Sequence, residues 1–434
     1  MWRALYALAL ALALPVIPLR LWWRGRKEPG YREHVGERFG RYASAPDKPV
    51  IWLHAVSLGE TRAAQPLVRA LAERYPDHRL VITQMTATGR EAARSLYGDI
   101  AMVAFLPYDY PFAVARFFDH FRPRLGILME TEVWPNLLAA ARARRIPVLL
   151  ANARLSAKSA RGYRRVGALG REAFASLAAV AAQSEADAER LRAAGAANVE
   201  VTGNMKFDSA PAPATLELAK ALRGRYGDRR VLLLASTREG EEPLLVDALE
   251  AAPPGDALVV IVPRHPQRFD EVAALLAKRG LAFVRRSEER PVPSGVRYVL
   301  GDSMGEMAAY YASCDVAIIG GSLLPFGAQN LIEACAVGAP VVIGPSTFNF
   351  AQATELALAA GAAVQVADAA GAVAEASRLL ADPAGRAAMS AAGRDFASAH
   401  RGATARTMAI IERLAKGQRT GDGGQKTEDR GRNA

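Results

Sequence analysis

One acid and three turns in this chain carry residue types that could do chemistry. The acid is Glu60. It follows the apolar run from Val50 to Val56 and the short punctuation Ser57, Leu58, Gly59. A strand that turns through Ser and Gly into a helix puts its turn at the carboxyl edge of a parallel sheet, where open α/β sheets hold ligands. A carboxylate on the first helical turn is favoured there by the helix dipole and could act as a general base. The same residues also read as a simple helix start, with Ser57 as cap and Glu60 complementing the dipole.

The three turns lie in the second half. Pro263 and Arg264 end one apolar run, and an arginine at a strand-to-helix turn suits a phosphate. Gly301 to Glu306 ends the next, with Met304 and Gly305 beside Glu306. Exposed amides on a first helical turn bind phosphate, and a nearby carboxylate can take sugar hydroxyls. The third runs from Gly320 and Gly321 through Gly327 to Asn330, Leu331, Ile332 and Glu333. Glycines let a backbone approach a ligand closely. Each of the last two turns also reads as an ordinary capping box, Asp302 or Ser303 with Glu306 and Asn330 with Glu333. Neither Gly-x-x-x-x-Gly-Lys-Ser/Thr nor Gly-x-Gly-x-x-Gly occurs at these turns.

These residues need two sheets to position them. Apolar runs alternate with helical patterns from Val50 to Val201, with strands expected at 50–56, 80–83, 102–106, 125–129, 147–151, 178–182 and 199–201. A proline-broken stretch, Lys206 to Ala214, reads as a link. Alternation restarts with strands expected at 231–235, 257–263, 296–300, 316–319 and 340–343. Helices over 369–380, 384–397 and 404–416 close the chain, and the polar, Gly-rich residues 417–434 read as disordered. The expected organisation is a membrane anchor over 1–27, an acceptor-binding α/β domain over 28–208, a donor-binding α/β domain with the closing helices over 209–416, and the tail. Strand, helix, strand in this rhythm predicts doubly wound parallel sheets with right-handed crossovers, two Rossmann-like halves facing a cleft.

Composition narrows the partners. The 434 residues carry a net charge of +11, which favours anionic company. The charges are dispersed, and no helix-turn-helix, zinc or aromatic RNA-stacking signature appears, which argues against a nucleic-acid binder. The two cysteines, Cys314 and Cys335, have no ligand spacing, so neither a disulfide nor a metal site is expected. At the amino terminus, Ala4 to Leu19 is apolar but broken by Pro15 and Pro18. Arg20, Arg24, Arg26 and Lys27 crowd its far end around Trp22 and Trp23. This pattern predicts an uncleaved anchor, single-pass or monotopic, with the bulk of the chain on the cytoplasmic face. The run is short beside the ~20 apolar residues that cross a bilayer. A cleaved signal peptide is the alternative.

Two α/β halves, ligand-type turns in the second and an isolated acid in the first are how a sugar-nucleotide transferase is arranged. At this level of detail a UDP-sugar transferase or an epimerase fits equally. Longer segments carry a sharper likeness: Gly36 to Gly40, His54 to Glu60, Met129 to Asn136, Ala151 to Ser156, Gly203 to Asp208, Val262 to Pro266, Gly301 to Glu306, Asn330 to Glu333 and Gly344 to Phe350. In these segments the chain resembles the bacterial 3-deoxy-D-manno-octulosonic acid (Kdo) transferases of lipopolysaccharide assembly, lipid A-specific enzymes. The resemblance implies a GT-B fold, CMP-Kdo as donor and a lipid A precursor as acceptor. It also implies inversion at the anomeric carbon, no metal or other cofactor, and work at the inner membrane. Glu60 then matches the catalytic base. Pro263 and Arg264, Met304 to Glu306, and Asn330 to Glu333 match the CMP-contacting segments. Ser57, Gly59, Ser236, Thr237 and Gly321 are further expected site residues, with Arg154 and Lys206 for anionic groups of the acceptor or of Kdo. Arg238 stands where many members have His, and Ala328-Gln329 where many have Gly-His.

Overall fold

The protein is described by a computed structural model covering residues 2–26, 28–208 and 212–425. The chain divides into two compact units, residues 1–209 with 401–434, and residues 210–400.

The chain opens with helices α1 (Trp2–Ala13) and α2 (Val16–Arg24), bent by 59° at the Pro15 break. Among the described residues no single helix is long and apolar enough to cross a membrane, although this bent pair together has the length and composition. The first unit then runs β1 (Val50–His54), α3 (Leu58–Ala63), α4 (Gln65–Arg74), β2 (Arg79–Gln84), α5 (Ala87–Tyr97), β3 (Ala101–Phe105), α6 (Pro111–Phe121), β4 (Pro123–Met129), α7 (Pro135–Ala143), β5 (Val148–Ala153), α8 (Ala157–Val166), α9 (Ala168–Ala175), β6 (Ala179–Ala182), α10 (Glu185–Ala194) and β7 (Val199–Val201). Its strands form one parallel sheet in the order β3-β2-β1-β4-β5-β6-β7.

Both faces of this sheet are buried, which is why its strands read as unbroken apolar runs. Successive β1 side chains serve opposite cores: Val50 and Trp52 pack with Phe117 and Phe118, Ile51 and Leu53 with Leu67 and Leu71. Trp52 pairs with Gly126 on β4, where a Cβ would come within 2.9 Å of the indole. The indole N–H is satisfied by Thr83 Oγ1 at 2.7 Å.

The second unit runs α11 (Pro213–Tyr226), β8 (Val231–Thr237), α12 (Glu241–Ala251), β9 (Leu258–Pro263), α13 (Phe269–Lys278), β10 (Phe283–Arg285), β11 (Tyr298–Leu300), α14 (Met307–Ser313), β12 (Val316–Ile319), α15 (Leu331–Val337), β13 (Val341–Ile343), α16 (Ala351–Ala359), β14 (Ala363–Gln365), α17 (Ala369–Ala381) and α18 (Pro383–Ala399). These strands form a second parallel sheet in the order β10-β11-β9-β8-β12-β13-β14. Strand order reverses beside the first strand in each unit, between β1 and β4 and between β8 and β12. The carboxyl ends there are the ligand positions of doubly wound sheets.

Several sequence expectations change. The two outer strands β10 and β14, three residues each, were not among the expected strands. The helical stretch after Ser57 is two helices, α3 and α4, and Pro66, which lacks an N–H, sits in the first turn of α4. The last closing helix, α19 (Ala403–Gln425), belongs with the first unit, not the second. Ile410 and Ile411 are buried in the core that contains Ile127 and Leu149. Asp208, expected in a link, accepts hydrogen bonds from the amides of Gly402 (2.6 Å) and Thr404 and fixes the start of α19. Residues 417–425, expected to be disordered, continue that helix, and 426–434 lie outside the described residues.

Candidate active site

Glu60 sits at the switch point of the first sheet. Extended backbone at Ser57 (φ −125°) ends the strand run, and Ser57 Oγ accepts the Glu60 amide at 3.4 Å. The Glu60 carboxylate accepts the Val56 amide at 2.8 Å and the Ser57 hydroxyl at 3.1 Å. Geometrically this is a helix start, as the simpler reading has it. The electrostatics say more. Burial first, then the neighbouring Glu130, push the Glu60 carboxyl up to about 7, against the lowering effect of the Val56 hydrogen bond. A carboxyl poised there has strong basicity when ionised and is half available at neutral pH.

The neighbours come from β4, the strand beside β1. Glu130 follows β4 in the left-handed region (φ 58°) and is 5% exposed. Non-Gly residues in that region are uncommon and cluster at functional sites. Asn152, at the end of adjacent β5, is also left-handed (φ 51°), and its side chain accepts the Met205 amide at 3.0 Å. Glu130 takes Arg154 Nε at 2.8 Å, with Lys206 Nζ 3.7 Å away. The structure thus brings Arg154 and Lys206 together on one carboxylate. Glu132 is held by the Trp134 indole N–H at 2.7 Å, and burial raises its pKa. His54 is fully buried with Nδ1 3.0 Å from both the Thr83 carbonyl and hydroxyl oxygens. Desolvation drops its pKa to about 3, so it stays neutral and is no proton carrier at pH 7.

In the second unit the expected residues line one sheet edge, because β11, β9, β8 and β12 are neighbours and parallel. At the end of β8, Ser236 is left-handed (φ 55°) and Thr237 donates to buried Glu242 at 2.7 Å. The Glu241 carboxylate, fully buried, accepts three backbone amides: Arg238 (2.8 Å), Gly321 (2.6 Å) and Leu323 (3.0 Å). It binds the turn after β8 to the glycine loop after β12. Gly320 has no room for a side chain, since a Cβ would lie 2.5 Å from the Ser236 carbonyl oxygen. After β9, Arg264 donates its amide to Thr237 O at 3.0 Å and its Nε to Gln329 Oε1 at 3.1 Å.

After β11, Met304 is exposed and Gly305 is left-handed (φ 84°). The Glu306 carboxylate is held by Ser303 Oγ (2.6 Å) and Arg286 (3.2 Å). Asp302 accepts the Ser287 amide and hydroxyl at 2.9 and 2.7 Å. Asn330 caps α15 through the Ile332 amide at 3.1 Å, and its Nδ2 donates to Glu333 at 2.9 Å. Leu331 and Ile332 are buried beneath. Arg238 lies over the Phe326 ring at 4.4 Å and pairs with Glu239 at 2.9 Å. Glu130 as a shared anchor for the cations, Glu241 as the loop tie, and the bracing pair Arg286 and Ser287 were missed from sequence. A left-handed Glu or a buried Glu has no sequence signature; only the contacts reveal it. Among the described residues no group of three or more His, Cys, Asp or Glu is placed to hold a metal ion.

Comparisons with known proteins bear on this geometry. Residues 33–209 match the family model described as 3-Deoxy-D-manno-octulosonic-acid transferase (kdotransferase). Residues 282–396 match that of Glycosyl transferases group 1. The chain is 49% identical to the 3-deoxy-D-manno-octulosonic acid transferase of Bordetella pertussis, over 95% of this chain and 99% of that protein. It is 38% identical to the Haemophilus influenzae protein of the same description, over 81% of this chain and 84% of that one. Among solved structures, HepE from Anabaena in complex with UDP superimposes with a TM-score of 0.58 at 16% identity, covering 85% of this chain and all (100%) of that one. That likeness shows the fold, a two-unit GT-B architecture.

Proposed function

The chain belongs to the 3-deoxy-D-manno-octulosonic acid transferase family, and we propose that it moves Kdo from CMP-Kdo to a lipid A precursor, with Glu60 as general base. It is a glycosyltransferase. The observation that carries the finer reading is the Glu60 carboxyl, raised to about 7 at the switch point of the first sheet.

The ionised carboxylate takes the proton of an acceptor hydroxyl. That oxygen attacks the anomeric carbon of Kdo from the side opposite the leaving group, so the configuration inverts. The bond from the anomeric carbon to the CMP oxygen breaks, and CMP departs with the electron pair. A phosphate leaving group needs no protonation, so one carboxylate suffices where glycosidases need two. General-base help of this kind contributes roughly 100- to 10,000-fold. In the second unit, Arg264 and the amides after Met304 would meet the phosphate charge, and Asn330 to Glu333 would hold the nucleoside end. No step in this scheme requires a metal. Arg154 and Lys206, fixed on Glu130, suit an anionic group of the acceptor or of Kdo.

A lipid acceptor places the enzyme at the cytoplasmic face of the inner membrane. What supports this is a row of exposed apolar side chains on α1 and α2: Trp2, Leu5, Leu8, Leu12, Leu19, Trp22 and Trp23. On its other side α1 is fastened to the first unit, through Arg3 to Glu172 at 3.8 Å and through Tyr6 to Asp109. A helix held along its own domain suits an in-plane, monotopic attachment.

The test is incubation of the purified protein with CMP-Kdo and a tetra-acylated lipid A precursor, followed by mass spectrometry of the lipid. A mass gain of one or more Kdo residues is expected. An unmodified lipid, with UDP stabilising the protein against heat better than CMP, would sink the reading.

A further inference from the structure

We propose that Gln329 is a positioning residue for the donor: its side-chain carbonyl fixes the Arg264 guanidinium in the orientation that receives the donor phosphate. The proposal rests on the reading of Arg264 as a phosphate-binding group.

Arg264 carries a long, rotatable stem, and bidentate recognition of a phosphate requires the guanidinium plane to be set beforehand. Its amide is tied to the Thr237 carbonyl, which fixes only the root of the side chain. Gln329 Oε1 accepts from Nε at 3.1 Å, on the edge of the guanidinium nearest the stem. A grip at Nε sets both the plane and the direction of the group.

The holder is itself rigid. The Gln329 amide donates to the Gly320 carbonyl at 3.0 Å. Before it, Ala328 takes a left-handed turn (φ 65°) and donates to the Gly321 carbonyl at 2.6 Å. After it, Asn330 is locked as the cap of α15. Gln329 Nε2 lies 3.0 Å from where a Cβ on Gly321 would stand, so the bare glycine gives the amide its path. The side chain joins the turn after β9 to the loop after β12.

The experiment measures CMP dissociation constants by calorimetry, and kcat and KM for each substrate, in Gln329→Met, Gln329→Asn, Arg264→Met and the double variant Gln329→Met/Arg264→Met. Gln329→Met keeps the volume and loses the acceptor; Gln329→Asn stays polar but is too short to reach. Each should weaken CMP binding and raise donor KM about tenfold, the scale of one hydrogen bond to a charged group. kcat should stay within about twofold and acceptor KM should not move, since the group acts on donor binding. In the Arg264→Met background Gln329→Met should add nothing, because its effect passes through Arg264. Wild-type CMP affinity in both Gln329 variants, beside a weakened Arg264→Met, overturns the role of Gln329 alone. Losses that multiply in the double variant overturn it too. Wild-type affinity in Arg264→Met overturns the underlying phosphate assignment instead.

Discussion

The Glu60 carboxylate lies 2.8 Å from the backbone amide of Val56 and accepts its hydrogen. The acid therefore reaches back across its own turn, where a solvated glutamate would point away. That bond lowers the carboxyl pKa, and burial with Glu130 raises it by more. The geometry is held by the same turn that closes the strand, so it can be kept while the chemistry is removed.

Glu60→Gln does this. The amide oxygen can still accept from Val56, so the fold and CMP affinity should persist. Turnover with CMP-Kdo should fall roughly 100- to 10,000-fold. Retention of wild-type kcat in a folded, CMP-binding variant would take Glu60 out of the base role.

The pH dependence follows from the same carboxyl. The base is the ionised form, so kcat/KM should rise with pH through a midpoint near 7. Glu130→Gln removes a negative neighbour and releases Arg154 and Lys206, and both changes favour ionisation of Glu60. The midpoint should move to lower pH by roughly one unit or less. An unmoved or alkaline-shifted limb in the variant contradicts the coupling.

Stability carries the opposite sign. The folded carboxyl titrates above its ordinary 4.5, so wild-type stability is fully present below that value and falls as pH rises through about 7. Glu60→Gln escapes this cost. Its gain in stability over wild type should be larger at pH 8 than at pH 5, by on the order of 3 kcal/mol at most, and its melting temperature should follow. Thermal melts at the two pH values decide, and a gap that narrows at pH 8 contradicts the burial argument.

Much of this was readable from residue types. The strand-Ser-Gly-Glu run at Val50 to Glu60 and the turns at Arg264, Gly305 and Asn330 are local patterns, the first at the carboxyl edge of the first sheet and the other three at that of the second. The expectation for α19 failed because Ile410 and Ile411 form an apolar stripe that fits either sheet. The Asp208 cap at Gly402 and Thr404, with Arg406 on the Thr202 carbonyl and Glu412 on Arg74, selects the first unit. The hub at Glu130 was invisible because its partners lie 24 and 76 residues away, at Arg154 and Lys206.

Membrane attachment through α1 predicts a graded effect. Leu8 and Leu12 are 58% and 75% exposed and face away from the tie at Tyr6 and Arg3. Burying a leucine contributes about 1.5–3 kcal/mol. The Leu8→Ser/Leu12→Ser protein should bind anionic vesicles at least about tenfold more weakly in cosedimentation. Its CMP affinity should be unchanged. Equal vesicle binding would move the contact surface elsewhere.

Glu241 is not itself among the expected site residues, yet it holds together the two turns after β8 and β12. Its fully buried carboxylate receives the amides of Arg238, Gly321 and Leu323. Hydrogen bonds to an ionised acceptor are worth about 1.5–3 kcal/mol each, and an orphaned buried amide costs a similar amount. Glu241→Ala would strand three amides at once and should destabilise the second unit by several kcal/mol, roughly 3–6. Glu241→Gln keeps one carbonyl acceptor but sets an NH2 against amides that also donate, so it should lie between. Both should weaken CMP binding while leaving the first unit intact. Denaturant melts with hydrogen exchange resolved by segment test this. Early exchange should be confined to residues 232–238 and 320–330, while β1, β4 and β5 keep wild-type protection. Uniform loss of protection across both sheets would show that Glu241 supports the whole fold, and not these two turns.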